Sequence, residues 1–373
     1  MTDRPAIIVL ANSARALAAS ARRAGFAPLA IDVFGDDDTR ETCLAVITLD
    51  GGLSAGLTSG KVVGAVETLI RAYNPMGLVY GSGFERQPEL IAAIARMTRI
   101  FGNDAETIKR SKDPFVLARL CAAVGISHPS IMLAAPGEPE DWLVKARGGS
   151  GGAHITTARR GRAAPPDCYF QRRVTGENVS ALFVADGRKA EIIGLSAQWR
   201  SPTPASPFRY GGAAGPIDVG AGQSEGIARS VAGIASELGL VGLNSADFIV
   251  SDDTVWLIEI NPRPGATLDV FEPDQGALIV SHIAACEGRL VTVPLSSEFK
   301  AAQVVYAPCD IVMPNSKRNW PDWTSDRPLP GTRVAVGGPL CTVLALGATV
   351  ELARNQVETR ARDIIADIQE SRH

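Results

Sequence analysis

Cysteine and histidine are scarce and scattered: six cysteines (Cys43, Cys121, Cys168, Cys286, Cys309, Cys341) and four histidines are spread through 373 residues without any CxxC spacing. That spread excludes a structural zinc site and a disulfide framework, so the thiols are expected to be reduced core residues of a cytoplasmic protein. No run reaches the ~18 consecutive apolar residues of a membrane-crossing helix. The apolar stretch Ala6–Ala11 is too short for a secretory core. A net charge of −3 with a pI near 5.9 exerts no global pull on nucleic acid or on an anionic membrane. There is no GxGxxG behind the first strand-like run, no Walker A sequence, no internal repeat and no low-complexity tract. What remains is a globular chain long enough for two or three domains, with small molecules as its expected partners.

The pattern of apolar residues gives the fold class. AIIVL, ARALAASARRAGF and APLAIDVF alternate strand and helix, and KVVGAVETLIRAY, GLVYGS, ELIAAIARM and RIFG continue the alternation. This is α/β with a parallel sheet. YGSGFE, 80–85, falls where a strand gives way to a loop, and such carboxyl ends border ligand crevices in open sheets; a plain glycine turn would read the same way. A second unit, α+β, begins near residue 104 with DAETIKRSKDPFVLARLCAAVG, read as a helix. WLVKAR is a strand whose Lys145 and Arg147 share a face. The loop that follows it, 148–152, is almost without side chains, so Gly149, Ser150 and Gly151 can lay backbone N–H groups against phosphates, although a flexible linker would look alike. CYFQRRVTGENVSALFVADG reads as strand, turn and strand. The stretch 196–216 reads as a long loop holding Trp199, Arg200, Phe208, Arg209 and Tyr210. Loops of that length in compact domains are usually functional, and arginine with aromatics suits a carboxylate and a ring-bearing group. From about residue 300 short antiparallel strands are closed by an amphipathic helix.

The densest chemistry lies in ADFIVSDDTVWLIEINPRPG, 246–265. Two β-like runs flank a polar turn, which predicts an antiparallel hairpin. Glu259 and Asn261 stand two apart on the second strand, on one face and roughly 6.6 to 6.8 Å from each other along it. Asp247 faces Glu259 directly only if the loop is odd, for instance Asp252–Thr254; an even loop turns it to the other face. Carboxylate and amide oxygens suit magnesium, a hard ion that keeps waters and phosphates in its shell. A surface hairpin with solvated acids would carry the same residues.

Taken in order, Lys112 on a helix, Lys145 before the glycine loop, the strand-turn-strand at 169–180, and Asp247, Glu259, Asn261 and Arg263 resemble the ATP-grasp superfamily over about residues 1 to 370. The resemblance implies the ATP-grasp fold: an N-terminal parallel-sheet domain (1–103), a nucleotide- and metal-binding region (104–298) and a small β-rich domain with a closing helix (299–373). It implies ATP and Mg2+ as cofactors. Lys112 and Lys145 would meet the phosphates, and the backbone around Arg172 and Val174 the adenine. Gln171 stands where many members carry glutamate, and Asn178 where many carry an acid or a histidine; Glu177 is the candidate substitute. Asp247, Glu259 and Asn261 would hold the metal, while Arg263 and Lys145 offset charge on the transferred group. The activity implied is ligation of a carboxylate to an amine through an acyl phosphate, with release of ADP and phosphate.

QRRVTGENVSALFVADG, LSAQWRSP and PFRYGG are similar to the subgroup that includes tyramine–glutamate ligase of methanofuran-type cofactor synthesis. On that likeness Arg200 or Arg209 clamps an α-carboxylate and Trp199 or Tyr210 stacks an aromatic amine. Family habit implies a homodimer. The alternatives are a bicarbonate-activating synthase or carboxylase of the same superfamily and an ATP-binding sensor without turnover.

Overall fold

The computed structural model describes residues 4–51, 56–57, 59–273, 275–294, 298–316 and 318–370. Five short strands open the chain: β1 (Ala6–Leu10), β2 (Ala27–Asp32), β3 (Ala45–Thr48), β4 (Leu78–Tyr80) and β5 (Ile100–Phe101). They form a parallel sheet in the order β3-β2-β1-β4-β5. Alternate residues of β1 serve two cores. Ile8 and Leu10 pack with Val62, Leu69 and Ile94 on one face, while Ile7 and Val9 pack with Leu17, Leu182, Leu243 and Ile279 on the other. A parallel strand covered on both faces reads as continuous hydrophobic sequence, as AIIVL does.

Four strands, β6 (Ile131–Met132), β7 (Trp142–Ala146), β8 (Ile155–Thr157) and β9 (Cys168–Arg172), make an antiparallel sheet in the order β6-β9-β7-β8. A third sheet has eight antiparallel strands. It comprises β10 (Glu177–Asp186), β11 (Ala190–Arg200), β12 (Tyr210–Gly215), β13 (Val241–Val250), β14 (Val255–Asn261), β15 (Phe299–Tyr306), β17 (Thr324–Ser325) and β19 (Pro339–Gly347), in the order β14-β13-β10-β11-β12-β15-β19-β17. The small strands β16 (Ile311–Val312) and β18 (Arg333–Val334) pair with each other. Because β12 pairs with β15, the sheet runs unbroken from the central region into the C-terminal one. The last helix, Val350–Glu370, buries Ala353, Val357, Ala361 and Ile364 at helical spacing against the C-terminal strands.

Two elements differ from the sequence expectation. The helix expected from residue 104 onward is two helices, Ala105–Lys112 and Pro114–Ala123. Asp113 precedes a proline, which disfavours helical backbone, and its carboxylate accepts the Phe115 and Val116 N–H groups as the second helix's cap. The long loop of 196–216 is only 201–209, since its flanks belong to β11 and β12. Glycine in β12 is a packing requirement: a Cβ on Gly212 would sit 2.4 Å from the Trp199 ring, and one on Gly215 would sit 3.1 Å from Phe271.

Candidate active site

The β13–β14 hairpin brings the expected acids together by an unexpected route. Its loop has four residues, because Val250 pairs with Val255, and an even loop alone would turn Asp247 away from Glu259. A bulge between Asp247 and Phe248 restores the parity: Phe248 pairs with Leu257, Asp247 with Glu259, and Ile258 is the extra residue. The odd loop anticipated from the sequence is therefore replaced by an even loop plus a bulge. Asn261 Nδ2 donates to Asp247 Oδ2 at 3.0 Å and lies 3.3 Å from Glu259 Oε1. Ser180 Oγ donates to the other Asp247 oxygen at 2.7 Å.

Two lysines face this strand pair. Lys112, the last residue of its helix, points its ammonium at Asn261 Oδ1, 2.7 Å away. Lys145 on β7 is 2 % exposed and donates to Gln171 Oε1 at 3.1 Å. Charge decides how the carboxylates share protons. Burial, then repulsion from Glu259, pushes Asp247 above the usual carboxylate range. Burial would lift Glu259 as well, but Lys112, Lys145 and His154 outweigh it and hold Glu259 low. Burial lowers Lys145, with Glu259 opposing that shift. Two oxygen-bearing acids held face to face in this way fit a small hard cation. Among the described residues no group of three or more His, Cys, Asp or Glu side chains gathers.

A cleft between the four-stranded and eight-stranded sheets is lined by Lys112, Gly149, His154, Tyr169 and Glu259, among others. The glycine loop lies over it, pressed on every side. A Cβ would meet Glu85 O at Gly148, the His154 ring at Gly149 and Phe208 O at Gly152, each within 2.5 Å. Gly151 O accepts the Tyr210 N–H at 2.9 Å. At Gly148, Gly149 and Gly152 only a residue without a side chain fits, whereas a Cβ at Gly151 would meet open space.

The strand ends at Asn261. Arg263 N–H donates to Asn261 O at 2.8 Å, a tight turn about Pro262, so Arg263, two residues beyond Asn261, leaves the strand face. It reaches the N-terminal domain, where Nε pairs with Glu85 Oε1 at 2.8 Å with side chains 10 % and 5 % exposed. Burial would raise Glu85, but Arg263 and then Lys112 hold it below its ordinary value. Asn103 fixes the turn: its amide donates to Pro262 O at 2.9 Å and to Asn244 Oδ1 at 2.8 Å.

The other anticipated residues divide. Arg172, Val174, Glu177 and Asn178 flank the crossing from β9 to β10, with Arg172 and Glu177 exposed. Trp199 packs with the C-terminal core, beneath Arg354. Arg209 is occupied by Ser201 O, Ser201 Oγ, Gly337 O and the Tyr306 ring. Arg200 is exposed above Phe208, and Tyr210 is driven up by burial, with Asp269 and Asp247 contributing. Glu85, Asn103, His154 and Ser180 were not anticipated. Glu85 lies in the strand-end segment YGSGFE, but its partner is 178 positions away.

Residues 117–267 match the family model described as an ATP-grasp domain. No curated protein compared with the chain matches it. Among solved structures, the L-amino acid ligase from Bacillus licheniformis is similar at TM-score 0.68 and 14% identity, over 98% of this chain and 98% of that one. N5-carboxyaminoimidazole ribonucleotide synthetase from Thermotoga maritima is similar at TM-score 0.65 and 13% identity, over 96% and 98%. The biotin carboxylase domain of Hydrogenobacter thermophilus 2-oxoglutarate carboxylase, solved with MgADP and bicarbonate, is similar at TM-score 0.70 and 12% identity, over 94% and 88%. At these identities the likeness is one of fold.

Proposed function

From the premise that residues 117–267 are an ATP-grasp domain, we propose that the protein is an ATP-dependent ligase joining a carboxylate to an amine through an acyl phosphate, with release of ADP and phosphate. The observation that carries this reading is the buried Asp247–Glu259 pair, set face to face by a bulge and confronted by two lysines beneath a glycine lid. A nucleotide-binding sensor has no need of acids held against each other in this way. Magnesium, bound with the nucleotide by Asp247, Glu259 and Asn261, would neutralise charge on the phosphates. Lys112 and Lys145 supply positive charge where the phosphoryl group moves. Arg263, held by Glu85, stands ready for the carboxylate or the acyl oxygens. The lid excludes water from an intermediate that water would destroy.

The geometry favours particular residues for the finer assignment of L-glutamate and tyramine. Arg200 retains a free guanidinium face for an amino-acid carboxylate, whereas Arg209 is committed to the fold. Tyr210, whose backbone N–H bonds the lid at Gly151, is assigned to the amine; Trp199, packed under the C-terminal helix, is not. The test is ADP and phosphate release with Mg-ATP across carboxylates crossed with amines, with Glu259→Ala as the control. Release that needs both partners and vanishes in the control supports the ligase. A second reading, bicarbonate activation, draws on the likeness to the bicarbonate-bound carboxylase domain, and release with bicarbonate alone would decide for it. ATP binding without release under any pairing would sink both.

A further inference from the structure

The glycine lid cannot hold its own shape. Gly148, Gly151 and Gly152 all have positive φ, +62°, +66° and +74°, and glycine loses more freedom on ordering than any other residue, so the order of 148–154 comes from what the loop touches. On one side that is Glu85 O, against Gly148; on the other it is the turn 201–209 between β11 and β12. Gly152 lies against Phe208 O, and the Tyr210 N–H donates to Gly151 O at 2.9 Å. The seat of the lid is thus the backbone of a turn that has no regular structure of its own.

Arg209 gives that turn its shape. Nε donates to Ser201 O at 2.8 Å and Nη2 to Ser201 Oγ at 3.1 Å, which closes the turn on itself, and Nη1 donates to Gly337 O at 3.0 Å, which fastens it to the C-terminal region. The guanidinium lies on the Tyr306 ring, 3.6 Å from its centre, and Tyr306 Oη donates to Tyr210 O at 2.8 Å. Tyr210 is therefore gripped at both backbone groups, by the lid at its N–H and by β15 at its carbonyl. A planar group with donors in a fixed fork can bridge Ser201 and Gly337 while stacking on a ring, which lysine, a compact charge on a flexible stem, does not do.

Resting on the ligase reading above, we propose that Arg209 is a positioning residue: it meets neither nucleotide nor carboxylate, and it holds the turn on which the lid closes, so that the C-terminal region frames the lid. The consequence is chemical. An acyl phosphate that meets water before the amine returns to the carboxylate and inorganic phosphate, with ADP already formed, so each such turnover consumes ATP and makes no amide. A lid without its seat admits that water.

The experiment compares the full chain with Arg209→Met and with Tyr306→Phe, which loses only the hydroxyl that holds Tyr210 O. Hydrogen–deuterium exchange of the peptides over 148–154, read without substrates, should speed up in both variants, roughly tenfold in Arg209→Met, while peptides of β10 and β13 keep their wild-type rates. In turnover with Mg-ATP, a carboxylate and an amine, Arg209→Met should raise the KM for ATP roughly tenfold with kcat for ADP release nearly unchanged, and should release more than one ADP per amide formed. Tyr306→Phe should shift both readouts in the same direction by less, and it carries the test if Arg209→Met fails to fold. Unchanged lid exchange overturns the inference. So does faster exchange with KM and the ADP-to-amide ratio at wild-type values, or a rise confined to the KM for the carboxylate, which would make Arg209 a direct clamp. If the wild type releases no ADP with any pairing, the ligase reading falls, and lid exchange still decides whether Arg209 seats the lid.

Discussion

His282 ties three parts of the molecule together in its neutral form. It is 1 % exposed on the helix Ala277–Cys286; Nδ1 accepts the Leu243 N–H at 2.8 Å and Nε2 donates to Phe101 O at 2.9 Å. The ring thus joins β5 of the parallel sheet to β13 of the eight-stranded one. A proton on Nδ1 would break the bond to Leu243 and place a charge in the core. Burial accordingly drops the imidazole to about 4, against 6.5 in the unfolded chain. Between those values the unfolded chain binds a proton that the folded chain refuses, so stability rises with pH across the window and is lost as pH falls through it. With about 1.36 kcal/mol per unit, the loss is about 2 kcal/mol at pH 5 and about 3 kcal/mol at pH 4. The assay is urea denaturation from pH 7.5 to 4 on the wild type and His282→Asn. Other groups titrate in both proteins, so the difference between the two stabilities isolates this residue. The variant should be less stable at pH 7.5, and the gap should narrow by those amounts on acidification. A gap independent of pH would show that His282 is charged in the folded protein or that its bonds are not as described.

Three other substitutions probe the site and the buried ion pairs of Arg15. Gly152→Ala places a Cβ 1.9 Å from Phe208 O at φ +74°; strain of this kind should lower Tm and raise the apparent KM for ATP roughly tenfold to a hundredfold while circular dichroism stays near wild type. Glu85→Gln leaves the Arg263 guanidinium buried against a neutral amide, which should lower stability by about 3 to 5 kcal/mol, as read by chemical denaturation, and should lower turnover in the proposed ligation as well. Arg15 pairs with Asp269 at 2.5 Å and Asp326 at 3.0 Å; Arg15→Met strands both acids and should cost about 3 to 5 kcal/mol, and restoration of wild-type stability by an added Asp326→Asn would be expected only in part, because Asp269 still lacks its cation.

How far the sequence could be read depended on how local each determinant is. The pairing of Glu259 with Asn261 follows from a period of two within one strand, and the parallel sheet follows from runs such as AIIVL that are buried on both faces. Asp247 shows where that reasoning stops. Its position opposite Glu259 depends on loop parity, and the parity is reset by an extra Ile258 that no turn residue announces. The stretch 196–216 misled for a related reason: proline and glycine signal a loop, but in YGGAAG the small residues make room for Trp199 and Phe271, which arrive from other elements.

The same division runs through the chemistry. Lys112, Lys145 and the glycine loop were legible because helix end, strand face and missing side chains are local properties. Glu85, Asn103 and His282 were not, since each is defined by a partner 138 to 181 residues away. These long-range contacts share a direction: all three join the N-terminal sheet to β13 or to the turn after β14. The carboxylates therefore sit on a hairpin held at its root by Asn103, by His282 and, through Arg263 in the turn after β14, by Glu85. A site built in this way can hold two like charges against their repulsion only while the N-terminal domain is docked. It follows that Glu85→Gln and His282→Asn, though neither residue touches Asp247 or Glu259 directly, should both weaken nucleotide-dependent turnover in proportion to the loss of docking, whereas Trp199→Ala, which loosens only the C-terminal core, should lower stability and leave turnover per folded molecule unchanged.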